Sequence, residues 1–184
     1  MSRKYELTNE TLKWHGRTLH RIRALRDFGD VKAGDLGGWV ESEDNLSHRG
    51  NCWLYGEAKA YDEAHLFDNS CAYDSAELSG RARTHDNARL SGRAHAYGNA
   101  CLAGDMYATR AVVCIGDWRG YATISDNHIN IWYHVYTIDE WSQFSDRELA
   151  ANARGVMEWW KEWGNTILTI AKEHREGVGG KSDS

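Results

Sequence analysis

Glycine or aspartate recurs at every sixth position from Gly38 to Gly116, through Asp44, Gly50, Gly56, Asp62, Asp68, Asp74, Gly80, Asp86, Gly92, Gly98 and Gly104, with Arg110 the one exception. An α-helix does not repeat on six residues, and an ordinary strand does not turn that often. Glycine tolerates positive φ and aspartate bonds nearby backbone, so both residues turn a chain sharply. A corner at each sixth residue leaves room for only a short strand between corners. Small side chains follow two positions after the corners, at Ala58, Ala64, Ser70, Ala76, Ala82, Ala88, Ala94 and Ala100. Two positions further lies the series Leu54, Ala60, Leu66, Ala72, Leu78, Thr84, Leu90, Ala96, Leu102, Ala108 and Cys114, with polar residues such as Lys59, Glu77, Arg83 and Arg89 between. This is period-two alternation with one buried face.

Such a unit cannot bury its apolar face alone, so neighbouring units must stack into a solenoid. Three sides, or 18 residues, close a triangular coil. Residues 18 apart then stack in the columns Leu54–Ala72–Leu90–Ala108, Ala60–Leu78–Ala96–Cys114 and Leu66–Thr84–Leu102. Each column alternates large and small, which lets layers interdigitate in a narrow core. With coils about 4.8 Å apart, the prism is on the order of 20 Å long.

The A-x-L-x-G/D-N rhythm resembles that of the hexapeptide-repeat, left-handed β-helix proteins. The stretch IRALRDFGDVKAGDLGGWVESEDNLSHRGNCW (Ile22–Trp53) closely resembles the leader of the YdcK-like hexapeptide-repeat proteins, common in enterobacteria and in phage and prophage genomes. The resemblance covers roughly the first two-thirds of the chain. It implies left-handed coils and a mobile-element origin, and it brings no established activity.

The expected fold is therefore an all-β solenoid, a left-handed triangular β-helix, with a C-terminal strand and an α-helical appendage. Its expected divisions are a capping segment over 1–37, coils over 38–118, an irregular or strand segment over 119–144, a Trp-rich helical segment over 145–176, and a disordered tail over 177–184. Residues 4–28 alternate apolar and basic positions and read as a strand or two capping the first coil. Arg21, Arg23 and Arg26 are candidate anion ligands there, set against their reading as a solvated face. Asn127–Trp141, NHINIWYHVYTIDEW, reads as one longer strand. Ser145 and Glu148 form a capping box. The stripe Leu149, Ala153, Val156, Trp160, Trp163, Ile167, Ile170 and His174 follows it with helical spacing. Gly155 and Gly164-Asn165 weaken that stripe, so two helices meeting near Gly164 stay open as an alternative.

Candidate partner-binding residues are Trp159 and Trp163 on the helix and Tyr55, Tyr73 and Trp53 on the coils. Trp159 lies about 100° around the helix from Trp160 and reads as the exposed anchor. Tyr55 and Tyr73, 18 apart, should stack on one side, either for partner contact or as sheet-stabilising pairs. Of the histidines in the repeat, His65 and His95 fall on different sides and His85 in another phase. No inserted loop builds a pocket beside any of them, so no catalytic set is expected, and no cofactor. His128 and His134, six apart, would share a face of a regular strand.

Cys52, Cys71, Cys101 and Cys114 lack metal-ligand spacing, so no metal site is expected. A net charge of −5 makes direct nucleic-acid binding unexpected. No apolar run of about 18 residues exists, so no membrane span is expected. A signal-peptide core is absent from the N-terminus, and the location expected is the bacterial cytoplasm. Three functions remain. The first is a non-enzymatic scaffold of phage origin engaging a host protein complex, as a host-takeover or counter-defence factor. The others are a coenzyme A-dependent acyltransferase and a nucleotide sponge using Arg81, Arg83, Arg89 and Arg93. A homo-oligomer, dimer or trimer, is expected in each.

Overall fold

The computed structural model describes residues 3–117, 119–152 and 156–177. The chain opens with β1 (Tyr5–Trp14), β2 (Arg17–Ala24) and β3 (Leu36–Val40). Ten two-residue strands follow at six-residue intervals: β4 (Trp53–Leu54), β5 (Lys59–Ala60), β6 (His65–Leu66), β7 (Cys71–Ala72), β8 (Glu77–Leu78), β9 (Arg83–Thr84), β10 (Arg89–Leu90), β11 (His95–Ala96), β12 (Cys101–Leu102) and β13 (Tyr107–Ala108). They stack in parallel as three sheets, β3-β5-β8-β11, β4-β7-β10-β13 and β6-β9-β12. The register advances by 18 residues per coil, as in Trp53↔Cys71↔Arg89↔Tyr107. This is the expected β-solenoid with a helical C-terminus, and its six-residue sides fit the left-handed hexapeptide-repeat β-helix.

Ten successive corners from Gly50 to Gly104 adopt left-handed backbone, the four aspartates among them at φ 54 to 60°. An L-residue there is strained by about 1–2 kcal/mol. The aspartates offset that strain by reaching up one coil. Oδ2 of Asp62, Asp74 and Asp86 accepts from the amides of Gly80, Gly92 and Gly104 at 3.0, 2.9 and 2.9 Å. The inward columns Leu54–Ala72–Leu90–Ala108 and Leu66–Thr84–Leu102 are fully buried.

Both ends depart from the extrapolated beat. Val40 is level with Ala60, and Leu46 with Leu66, at a spacing of 20 rather than 18. Two additional residues lie between Leu46 and Leu54, so Gly38 and Asp44 are not corners. A Cβ on Gly38 would lie 2.2 Å from Ala58 O, and Asp44 belongs to a 3-10 turn, Glu43–Asn45, capped by Ser42. At the far end Val112 N donates to His95 O, and the chain then leaves the coils. Cys114 therefore pairs with Thr123 instead of topping the Ala60–Leu78–Ala96 column.

The leader forms an antiparallel β1–β2 hairpin that continues the first sheet through β3. The β2–β3 connection folds back so that Phe28 and Val31 join Tyr5 of β1 in the core around Trp53. The C-terminal unit is an antiparallel meander of β14 (Val113–Asp117), β15 (Gly120–Ile124), β16 (His128–Ile131) and β17 (His134–Thr137). Helices α1 (Ile138–Gln143), α2 (Asp146–Asn152) and α3 (Val156–Glu176) follow it. Asn127–Trp141 is thus not one strand. It turns at Trp132, held at φ 57°, and becomes helix at Thr137, whose hydroxyl accepts from Glu140 N while Glu140 reaches back to Thr137 N. The Ser145–Glu148 box forms the same reciprocal pair.

Helix α3 runs unbroken through Gly164, where a Cβ would come within 2.7 Å of the Trp160 ring. It packs with α1 on the meander in a second core of Ile124, Ile129, Ile131, Trp141, Trp160 and Ile167, among others. Ala153 of the expected stripe, Gly155, which would weaken it, and tail residues 178–184 lie outside the described residues.

Side chains of the meander close the open edge of the last coil. Thr123 Oγ1 accepts from Cys101 N at 2.9 Å, and Asn130 Nδ2 donates to Cys101 O at 2.9 Å. Asp126 Oδ2 accepts from Thr109 N at 3.1 Å, while Asp126 N donates to Tyr107 O at 3.3 Å. These groups stand where the next coil would be, satisfying backbone that would otherwise pair with another chain.

Candidate functional site

On the β6-β9-β12 side, outward residues form two rows: His65, Arg83 and Cys101, then Phe67, His85 and Ala103. Stacking places the Phe67 ring against the His85 imidazole, centroids 4.9 Å apart and planes within 17°. This fixes the imidazole plane. Its Nδ1 lies 3.1 Å from Asp86 Oδ2, and its Nε2 lies 3.5 Å from Cys101 Sγ. Asp86 is itself held rigid, because the same Oδ2 accepts the Gly104 amide. With Nδ1–H directed at the carboxylate, Nε2 is the acceptor that faces the thiol.

Cys101 is partly buried, and both its backbone groups are tied to the meander by Thr123 and Asn130. Burial pushes its thiol above the ordinary range, against the opposing pull of an Asn130 hydrogen bond and the Arg83 charge. A thiol of that kind needs a base to ionise it, and a base oriented by a third group is adjacent.

Beside His85 and Asp86, the β16–β17 hairpin leans over Ala103 and Gly104. Trp132, Tyr133, His134, Val135 and Tyr136 line with them an open cleft of about 410 Å³. A larger groove of about 570 Å³ separates the β1–β2 turn from the first sheet, lined by Trp14, His15, Lys59, Glu77, Arg93 and His95 among others. Glu77 there already accepts from Trp14 Nε1 and Tyr61 OH. Asp68, His85 and Asp86 could also present one ligand atom each to a metal, within 4.8 Å of one another. Stacking assembles that trio, which spacing along the sequence does not reveal.

Several residues singled out in the sequence lie elsewhere than expected. Trp53 is 1% exposed, covered by Phe28 and Tyr5, and Trp159 is 3% exposed. Neither presents a surface to a partner. Trp159 is buried because α3 rests on the meander and α1 together, which widens its apolar face to include adjacent tryptophans. Trp163 is partly buried beside Trp159, centroids 6.3 Å apart. Tyr55 and Tyr73 do stack, at 4.6 Å and 5°. Tyr55 is also bonded to Asp30.

Two of the three arginines of the cluster are paired with carboxylates within the chain. Arg21 pairs with Glu57 at 2.8 Å over the Trp39 ring, Arg23 Nε donates to Glu6 at 2.9 Å, and Arg26 lies over Phe28. His128 and His134 sit on adjacent strands rather than one. His95 Nε2 lies 2.9 Å from Ser79 Oγ.

Sequence reasoning missed the pairing of His85 with Cys101 and the aromatic hairpin beside it. One signal was available: 18-residue stacking sets Ala103 over His85 and makes Cys101 its diagonal neighbour.

The three parallel sheets on a six-residue beat fit a hexapeptide-repeat protein. No family model matches the chain. A stretch of 39 residues, 21% of the chain, is 49% identical to a curated Escherichia coli (strain K12) protein described as "Uncharacterized acetyltransferase YdcK". The match spans 12% of that relative's length.

Proposed function

We propose that the protein transfers an acyl group from a coenzyme A thioester, with His85 as general base and Asp86 as the residue that orients it. The observation that carries this reading is the imidazole held between Asp86 and Cys101 beside an open cleft of about 410 Å³. Asp86 keeps the proton on Nδ1 and stabilises the imidazolium that forms when Nε2 takes up a proton. Trp132 and Tyr136 supply an aromatic wall for the donor. The name of the partial relative supports the same chemistry.

Calorimetric titration with acetyl-coenzyme A should give saturable heat, weakened by Trp132→Ala. His85→Asn should leave binding intact and slow transfer on the order of 10²–10⁴-fold. Absence of both heat and thermal stabilisation by acetyl-coenzyme A would sink the reading.

A second reading, a non-enzymatic protein of phage or prophage origin that engages a host complex, draws on one observation. Tyr133 is 95% exposed at the hairpin tip, next to Trp132 at 37%. Exposed aromatics of this kind commonly anchor interfaces. A bacterial protein retained by the wild type and lost with Tyr133→Ala would favour it, and equal retention by both would remove it. Self-association as a dimer or trimer belongs to either reading, and light scattering measures it.

A further inference from the structure

We infer that Cys101 is a nucleophile that carries the acyl group as a thioester between donor and acceptor. This rests on the acyl-transfer reading and adds a covalent step to it. Once Nδ1–H points at Asp86, the remaining lone pair of His85 is on Nε2, and that nitrogen faces Cys101 Sγ at 3.5 Å. Base action by His85 is thereby directed to a thiol of this chain. Cys101 also lies two residues before Ala103, which belongs to the neighbouring outward row and lines the cleft.

The other cysteines have different neighbours. Cys52 Sγ accepts from the Lys4 ammonium at 3.1 Å in the core, and Cys71 Sγ lies 3.5 Å from Asn69 O. Cys114 is buried enough to push its thiol up, beside Thr123 and Asn99. Among the described residues, Cys101 is the cysteine that has a histidine and a carboxylate in line.

The chemistry balances without an oxidant. His85 Nε2 takes the Sγ–H proton as Sγ attacks the carbonyl carbon of the acyl thioester. The bond from that carbon to the donor sulfur breaks, and the donor thiol leaves with the proton returned from Nε2. In the second half His85 takes a proton from an acceptor amine, hydroxyl or water. The acceptor N or O attacks the new thioester, and Cys101 departs as a thiol bearing that proton.

The test is intact-mass and peptide analysis of the full chain after incubation with acetyl-coenzyme A and, separately, with p-nitrophenyl acetate. The expected product is one acetyl group on the Cys101 peptide, released by hydroxylamine. It should be absent in Cys101→Ala, retained in Cys71→Ala, and formed on the order of 10²-fold more slowly in His85→Asn. Cys101→Ser should trap a hydroxylamine-stable ester, and circular dichroism checks that each variant is folded.

Acetyl transfer that persists in Cys101→Ala, with no label on the wild-type cysteine, overturns the covalent step while leaving the acyltransferase reading in place. Failure to bind acetyl-coenzyme A, combined with His85-dependent labelling of Cys101 by p-nitrophenyl acetate, overturns the coenzyme A reading and keeps the nucleophile. Absence of label from both donors, or labelling indifferent to His85, overturns the inference.

Discussion

A corner residue in this chain does two jobs, bending the backbone and tying one coil to the next. Asp74 sits at φ 57°, and its carboxylate accepts the Gly92 amide. Asp74→Gly keeps the bend and loses the tie, whereas Asp74→Ala loses the tie and leaves a strained L-residue. The alanine variant should be the less stable of the two by about 1 kcal/mol, read from denaturant midpoints. Glycine corners differ among themselves for a related reason. A Cβ on Gly50 would lie 2.1 Å from Asp68 O, while one on Gly98 would meet nothing within 4 Å. Gly50→Ala should cost about 2–5 kcal/mol and Gly98→Ala only about 1–2. The same residues explain what the sequence left hidden. Asp86 is legible as a corner, and that role conceals its second contact, with His85, because a carboxylate engaged by backbone looks already occupied.

The elements divide by what defines them. Inward columns follow from periodicity alone, and they carry a quantitative consequence. Leu90 lies between Ala72 and Ala108, so Leu90→Ala would leave three small residues in succession and a void that cannot collapse. Its expected cost is at the upper end of about 2–5 kcal/mol, measured by thermal or denaturant unfolding.

Helices α1 and α2 respond to acid instead. The capping hydrogen bonds of Glu140 and Glu148 hold both carboxyls below the ordinary value of 4.5. A carboxyl lowered by folding contributes stability above its unfolded value, and that stability is lost as pH falls through the folded one. Far-UV circular dichroism should therefore show helix fraying below about pH 4.5, and Glu148→Gln should remove the α2 share of that pH dependence.

Periodicity misreads 127–141 because alternation passes through a turn made without glycine or asparagine, at Trp132. It misplaces Trp159 because a single stripe cannot represent a helix that covers a sheet and another helix at once. The two additional residues between Leu46 and Leu54 are hidden for a different reason, since Gly38 and Asp44 satisfy the beat by composition while serving other ends.

At the scale of the molecule, both ends are blocked and the sides are open. The leader hairpin continues the first sheet at one end, and Thr123, Asp126 and Asn130 finish the last coil at the other. Ending the chain after Val112 would strip the amides of Cys101 and Thr109 of their acceptors. That shortened protein should self-associate end to end, seen as a concentration-dependent rise in scattering that the full chain lacks.

The alternation of large and small side chains up each column has a consequence for how such a chain can grow. Leu54, Ala72, Leu90 and Ala108 repeat in size every second coil, so one inserted coil would set like against like at a seam. Two inserted coils would restore the order and part the ends by about 9.6 Å. The increment of length compatible with this core is thus a pair of coils. A tandem duplication of 36 residues should melt near the parent, and one of 18 should melt well below it.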